Sequence, residues 1–140
     1  TLEFCFNNDT CCINSKGEVL SFGKYSTSYD CKELPFPLFR IPNLKNIKCV
    51  SIGDEHSAFL DNDGNVYTFG DNEVGQLGIS EDEDGLEYAD IPQKVNLPPC
   101  KHVSCGENFV ICLTENGVLY SFGNNEEGQL GLGNNQKRYF

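Results

Sequence analysis

The feature that most constrains this chain is an internal repeat with a period of about 50 residues. Residues 50–78 read VSIGDEHSAFLDNDGNVYTFGDNEVGQLG, and residues 103–131 read VSCGENFVICLTENGVLYSFGNNEEGQLG, without a gap at a spacing of 53. A degraded copy, FCFNNDTCCINSKGEVLSFG, occupies residues 4–23, where Gly17 precedes Gly64 by 47 residues. Periods of this size are typical of architectures in which repeated units stack on one another.

Each copy has the pattern of a hairpin of short antiparallel strands. In AFLDNDGNVYTF, residues 58–69, two apolar runs flank a turn, and Gly64 is expected to supply the positive φ that such turns require. Gly17 and Gly117 repeat this device. The runs IKCVSI and IPQKV add two further strands, and no segment has apolar residues at helical spacing. The sequence therefore predicts an all-β chain with about four antiparallel strands in each repeat.

Four short strands repeated at this period are typical of a β-propeller, whose radially packed blades leave only short edges. The chain resembles the regulator of chromosome condensation repeat family. Its repeats carry a glycine and a histidine before an apolar strand, then a hairpin glycine, an aromatic–glycine pair and NxxGQLG. The matching residues of the second copy are Gly53, His56, Gly64, Phe69, Gly70, Asn72, Gly75, Gln76, Leu77 and Gly78. Those of the third copy are Gly106, Gly117, Phe122, Gly123, Asn125, Gly128, Gln129, Leu130 and Gly131.

The repeats are expected to span about residues 1–46, 47–99 and 100–140. The first is degenerate, because no GQLG follows Gly23, and the third is expected to stop at NNQKRYF, before its outer strand. A length of 140 residues and a period of about 50 predict a partial propeller of about two and a half to three blades. The resemblance implies a complete ring of seven blades. We expect a longer protein, a second chain or an association of copies to complete the ring.

The eight cysteines are interpreted as apolar strand positions rather than as a metal or disulfide framework. No CxxC pair is present, and the spacings match no common zinc site. In the repeat alignment, Cys105 takes the place of Ile52 and Cys112 that of Phe59, as small buried thiols can do. The sequence predicts no metal ligands, no cofactor and no bond-making catalytic residues. It favours a reducing compartment, the cytoplasm or the nucleus.

The two histidines have no nucleophile patterned around them. The resemblance implies that His56 is structural and ties the loop of one blade to the backbone of its neighbour. His102 lies outside the repeat motif and is expected at the surface.

The chain carries 21 acidic and 10 basic residues, a formal charge of −11, which disfavours binding to nucleic acid or to an anionic membrane surface. One insertion after the second GQLG has six carboxylates and no basic residue. It is interpreted either as a solvated surface loop or as a docking loop for a basic protein partner. The six are Glu81, Asp82, Glu83, Asp84, Glu87 and Asp90.

The leading functional hypothesis is a protein–protein interaction module that presents face loops to a protein partner, because rigid blades position variable connections. The resemblance implies two alternatives. The first is guanine-nucleotide exchange on a small Ran-like GTPase by protruding loops that displace the nucleotide, although no such loop can be matched here. The second is a regulatory propeller of a ubiquitin ligase. No apolar stretch is long enough to suggest a membrane span.

Overall fold

The structure is a computed structural model, and it describes residues 4–6, 9–23, 39–79 and 85–138. Every regular element in these ranges is a strand, as the sequence predicts. No helix capable of crossing a membrane occurs among these residues. The strands are β1 Phe4–Phe6, β2 Asp9–Ile13, β3 Val19–Gly23, β4 Phe39–Arg40, β5 Ile47–Ile52, β6 His56–Asp61, β7 Val66–Asp71, β8 Tyr88–Lys94, β9 Cys100–Cys105, β10 Phe109–Thr114 and β11 Leu119–Gly123.

The strands form three antiparallel sheets, which we call blades 1, 2 and 3. Blade 1 has the order β1-β2-β3-β4, blade 2 the order β5-β6-β7-β8, and blade 3 the order β9-β10-β11. Strands that follow one another in the chain are therefore neighbours in each sheet. This is the four-stranded meander that the repeat predicts, with the outermost strand of blade 3 reduced to a bridge.

The bridge joins Gly123, the last residue of β11, to Arg138. Gly123 N donates a hydrogen bond to Arg138 O at 2.6 Å, and Arg138 N donates to Gly123 O at 3.1 Å. Arg138 therefore pairs beside β11 as an isolated bridge, and the expected incompleteness of the third repeat stays a prediction. The bridge lies where β7 pairs with β8 in blade 2.

The central hairpins of the three blades share one design. Ile13 pairs with Val19, Leu60 with Val66, and Leu113 with Leu119, each next to the turn. The turn glycines Gly17, Gly64 and Gly117 have φ angles of 71°, 85° and 88°, which confirms the positive φ expected from the sequence. L-residues avoid this region because of contacts made by Cβ.

Two apolar cores lie between the blades. Successive strand residues point to opposite faces, so Phe59 enters the core shared with blade 1 while Leu60 enters the core shared with blade 3. The first core contains Cys11, Ile13, Val19, Ile41, Leu44, Ile47, Val50, Ile52, Phe59 and Phe69. The second contains Ala58, Leu60, Val66, Val95, Cys100, Val103, Val110, Cys112 and Phe122.

Blade 2 is covered on both faces, whereas blade 3 is covered on one. Every residue of β6 is buried, but burial alternates along β10. Leu119 is 66% exposed, although its counterpart in blade 2, Val66, is 1% exposed. No described element packs on the face of blade 3 that carries Ile111 and Leu119. Ile111 and Leu119 occupy the strand positions whose counterparts in blade 2 are buried against blade 3.

Candidate functional site

Antiparallel strands place the connecting loops of all blades on two opposite rims. The upper rim comprises the described loops after β5, β7, β9 and β11, at residues 53–55, 72–79, 85–87, 106–108 and 124–137. The lower rim comprises the hairpin turns and the connections between blades, at residues 14–18, 41–46, 62–65, 95–99 and 115–118. Loops of neighbouring blades touch on each rim: Asp54 N donates to Glu107 O at 2.9 Å above, and Asn62 N donates to Asn46 O at 3.0 Å below.

The charges of the chain are divided between these rims. The upper rim, with the strand ends next to it, has nine described carboxylates, and its described cations are Lys137 and Arg138. The nine are Asp54, Glu55, Asp71, Glu73, Glu87, Asp90, Glu107, Glu126 and Glu127. Among the residues that the structure describes, the lower rim has six cations against four carboxylates. The cations are Lys16, Arg40, Lys45, Lys48, Lys94 and Lys101, and the carboxylates are Glu18, Asp61, Asp63 and Glu115. The upper rim is therefore strongly negative.

The described end of the acidic insertion, residues 85–90, belongs to the upper rim. Glu87 and Asp90 are exposed and described, whereas Glu81, Asp82, Glu83 and Asp84 lie outside the described residues. The far end of the insertion is fixed by Asn72, whose backbone N donates to Glu87 O at 2.7 Å and whose side chain donates to Leu86 O at 2.6 Å. Exposed apolar side chains of Leu86, Tyr88 and Ile91 lie next to these carboxylates in the chain. Acidic and apolar groups are thus presented together.

The GQLG loops have a common internal framework. Asn72 Oδ1 accepts a hydrogen bond from Leu77 N at 2.9 Å, and Asn125 Oδ1 accepts one from Leu130 N at 3.0 Å. The side-chain oxygen of Gln76 accepts from Val74 N at 3.0 Å, and its amide donates to Asp71. Asn72, Gln76 and Asn125 are buried, so these polar groups are used inside the loop.

The loop of blade 2 also packs on blade 3. A Cβ placed on Gly78 would lie 2.7 Å from the Phe122 ring, and one placed on Gly123 would lie 3.1 Å from Gln76 Cα. These motif residues set the shape of the rim, and the exposed positions between them, such as Glu73 and Glu126, face solvent.

Family models match this chain as "Regulator of chromosome condensation (RCC1) repeat", one over residues 63–113 and another over residues 47–76 and 100–129. The chain belongs to the RCC1 repeat family. The RCC1 assignment that the glycine and GQLG pattern suggested is therefore confirmed.

Two curated relatives contain RCC1-like segments similar to this chain. The X-linked retinitis pigmentosa GTPase regulator of Mus musculus is 38% identical over 94 residues, covering 64% of this chain and 9% of the relative. The Protein RCC2 homolog of Xenopus laevis is 32% identical over 143 residues, covering 86% and 27%. The chain thus spans about a quarter or less of these relatives.

A solved structure supports the propeller fold. Yeast RCC1 (Prp20), in its crystal structure bound to Kap60, superposes with a TM-score of 0.77 at 22% identity, covering 95% of this chain and 34% of that one. The all-β propeller architecture predicted from the sequence is confirmed.

The RCC1 histidine, His56, is fully buried at the start of β6. A Cβ on Gly53 would lie 2.0 Å from His56 Cε1 and 2.7 Å from Gly106 O, so the imidazole lies over Gly53 beside the loop of blade 3. Neither ring nitrogen has a satisfactory hydrogen-bond partner among the described residues. The imidazole packs beside the backbone of blade 3, and the tie implied by the resemblance stays a prediction.

Burial of His56 lowers its pKa from 6.5 to about 4, because the charged ring would lose its hydration. The nearby Phe109 backbone and the charge of Asp54 oppose this lowering. His56 is therefore neutral at pH 7. His102, by contrast, is exposed, as expected from its place outside the motif.

We expect the stability of the chain to fall as the pH drops below 6.5 because of His56. The unfolded chain then binds a proton that the folded chain takes up only near pH 4. This difference lowers the free energy of unfolding by about 2 kcal/mol between pH 7 and pH 5. Urea unfolding at both pH values measures this loss. His56→Phe, which introduces the residue that blade 3 has at Phe109, should remove this part of the pH dependence. An equal pH dependence in both proteins would contradict the assignment to His56.

Cys11, Cys12, Cys49, Cys100, Cys105 and Cys112 are not joined in disulfides. Four of them, Cys11, Cys12, Cys100 and Cys112, are buried. Burial raises the pKa of Cys112 and of Cys100, so neither thiol is a reactive thiolate at neutral pH. Within the described ranges, no group of three or more His, Cys, Asp or Glu side chains could hold a metal ion. The interpretation of Cys105 and Cys112 as strand residues agrees with their places in β9 and β10.

We expect these four buried thiols to resist Ellman's reagent in the native chain at neutral pH. Their side chains are inaccessible, and the thiolate is the reacting species. All eight cysteines should react once the chain is unfolded without reductant. Counting fewer than eight thiols in the unfolded state would indicate a disulfide and contradict the interpretation.

Sequence reasoning missed part of the upper rim. It located negative charge in the insertion but did not group Asp54, Glu107, Glu126 and Glu127 with it. A signal was present, because Asp54 and Glu107 occupy the same position of the repeat at a spacing of 53. Positions that share a place in the repeat share a rim, so the alignment alone could have assembled the surface.

Proposed function

We propose that this chain is an RCC1-type protein-interaction module whose upper rim docks a basic protein partner. The observation that carries the proposal is the separation of charge, which gives the upper rim nine described carboxylates against two cations. Complementary charge speeds encounter and fixes orientation between partners. The module acts without bond-making catalytic residues, as a surface rather than as an enzyme.

The rim has the structural properties that docking requires. Its loops are held by buried Asn72, Gln76 and Asn125, so the acidic groups are displayed on a fixed framework. Exposed Leu86 and Tyr88 add apolar and aromatic area beside the charges. Protein interfaces combine such apolar centres with a polar surround. If the insertion were only a solvated surface loop, its own charge would be explained. The presence of further carboxylates and exposed apolar side chains on the same rim would not be explained.

A pair of matched charge variants tests the proposal. Glu73→Gln, Glu87→Gln, Glu126→Gln and Glu127→Gln together neutralise upper-rim positions, and Lys45→Gln with Lys94→Gln neutralise lower-rim positions. Partners are captured from an extract with the unmodified protein, and the binding rate of each is then measured at low and high salt. We expect the upper-rim variant to lower the on-rate about tenfold at low salt and to flatten its salt dependence. Unchanged binding in that variant would overturn the proposal.

A second candidate is guanine-nucleotide exchange on a small Ran-like GTPase. Similarity to a relative named as a GTPase regulator favours it, although that relative is matched over 9% of its length. Mixing the protein with a Ran-like GTPase loaded with fluorescent GDP tests this function directly. Faster nucleotide release would support exchange. Without acceleration, the interaction module would stay as the proposed function. The ubiquitin-ligase alternative stays a prediction.

Further RCC1 blades are the proposed partners that complete the ring. The apolar face of blade 3, with Ile111 and Leu119, matches the positions by which blade 2 contacts blade 3. Such blades could come from the same protein, from a second chain or from another copy. We place the module in the cytoplasm or the nucleus, since eight cysteines without the spacing of a metal site or disulfide framework favour a reducing compartment.

A further inference from the structure

A polar cleft of about 420 Å³ opens on the lower rim where blade 1 meets blade 2. It lies between the β2–β3 turn, the β6–β7 turn and the connection that enters β5. Two lysines, Lys16 and Lys48, line it together with the amides of Asn46 and Asn62. Among the described residues, no carboxylate lines this cleft.

The backbone framework of the cleft is repeated at the next junction. Between blades 1 and 2, Ile47 N donates to Gly17 O at 3.1 Å and Asn62 N donates to Asn46 O at 3.0 Å. Between blades 2 and 3, the equivalent bonds run from Cys100 N to Gly64 O at 2.8 Å and from Glu115 N to Pro99 O at 2.9 Å. The two junctions therefore have the same scaffold, and the second is an internal reference for the first.

The side chains at the two junctions differ in charge. Lys16 at the first junction corresponds to Asp63 at the second, and Asn62 corresponds to Glu115. Asn14 corresponds to Asp61. Lys48 corresponds to Lys101, so both junctions have a lysine at this position. These four positions carry a charge of +2 at the first junction, from two lysines. At the second they carry −2, from three carboxylates and one lysine. Only the first junction is suited to an anion.

The two lysines of the cleft are available to a ligand, although Lys16 also acts on Glu18 through its charge. Neither Lys16 nor Lys48 forms an ion pair with a described carboxylate. The carboxylate of Glu18 is held by Arg40 at 3.1 Å and by Asn14 at 2.8 Å. The Asn14 hydrogen bond and the nearby cations keep the pKa of Glu18 below its ordinary value, so it remains an acceptor for these partners.

We propose that this cleft binds a phosphate monoester carried by a partner peptide. A phosphate monoester near pH 7 is close to a dianion with three strong acceptor oxygens, which matches two ammonium groups and the amides of Asn46 and Asn62. Lysine is an established phosphate-binding side chain. The volume of about 420 Å³ leaves room for the residue that bears the phosphate. The site lies on the rim opposite the acidic surface, so it is separate from the proposed docking of a basic partner.

An NMR titration tests the site with a short phosphoserine peptide as the probe. We expect saturable shifts of the backbone amides of Lys16, Asn46, Lys48 and Asn62. A junction-swap variant, Lys16→Asp with Asn62→Glu, introduces the residues that the second junction has on the same scaffold, and Lys48→Gln removes one cation. Each should weaken binding at least tenfold. The matched control Lys101→Gln, at the position equivalent to Lys48, should change binding less than twofold.

The outcomes separate the proposal from its alternatives. If inorganic phosphate binds as tightly as the peptide, the carrier residue contributes nothing, and the peptide part of the proposal is wrong. Equal binding of a glutamate peptide would show a general anion site and overturn the preference for phosphate. Shifts that do not saturate and spread equally to Lys45 and Lys94 would overturn a specific site. Amide spectra of each variant without peptide verify its fold. None of these results bears on the upper rim.

Discussion

Replacing Phe59 with alanine is expected to lower the free energy of unfolding by about 3–5 kcal/mol. Phe59 is fully buried in the core between blades 1 and 2, where it packs with residues of both blades. Truncation removes most of an aromatic ring from that core and leaves a cavity that surrounding strands cannot close, because each is fixed by its sheet register. Urea unfolding followed by circular dichroism measures the loss.

A matched control for this prediction is Leu119→Ala. Leu119 also lies in the central hairpin of a blade but is 66% exposed, so its truncation should change the unfolding free energy by no more than about 0.5 kcal/mol. A Phe59→Ala loss as small as that of Leu119→Ala would mean that the junction between blades 1 and 2 does not carry the stability of the chain.

The second large effect is expected at Gly70, where alanine should destabilise the chain by about 2–6 kcal/mol. Gly70 has a φ of 108°, and a Cβ there would lie 2.4 Å from Glu55 O and 2.9 Å from His56 Cα. Both contacts are backbone, so neither can move without shifting β6. The strain of the backbone and the steric overlap therefore add.

The matched control is Gly117→Ala, which isolates the cost of placing an alanine at a positive φ. Gly117 has a similar φ of 88°, but a Cβ there would meet nothing within 4 Å. Its substitution should cost only about 1–2 kcal/mol. If the two variants have the same unfolding free energy, the close approach of β6 to Gly70 is unimportant, and only the φ angle matters.

Local and repeated features of the fold could be predicted from the sequence. The hairpins around Gly17, Gly64 and Gly117 follow from alternating apolar runs and turn residues, and the gapless spacing of 53 carried that assignment from one blade to the next. The isolated bridge at Arg138 could not be predicted, because one pair of hydrogen bonds leaves no pattern in a polar segment.

Less of the candidate site could be predicted. Glu87 and Asp90 were found because they are neighbours in sequence, whereas Asp54 and Glu126 join them only through the antiparallel topology that collects loops on one rim. The environment of His56 depends on the loop of the next blade, which no local pattern encodes. The cleft of Lys16 and Lys48 needs three separate segments to meet. Such sites become visible only when the register is known.

The junction hydrogen bonds of the lower rim have an evolutionary consequence. All four run between backbone atoms, from residues 47, 62, 100 and 115 to carbonyls of the facing hairpin turns or of the connections between blades. After a repeat is duplicated, the side chains around these bonds can diverge freely while the blade angle stays the same. Lys16 in one copy and Asp63 in the other represent such a divergence. A propeller built in this way can acquire a different recognition chemistry at every blade junction without having to reinvent its architecture.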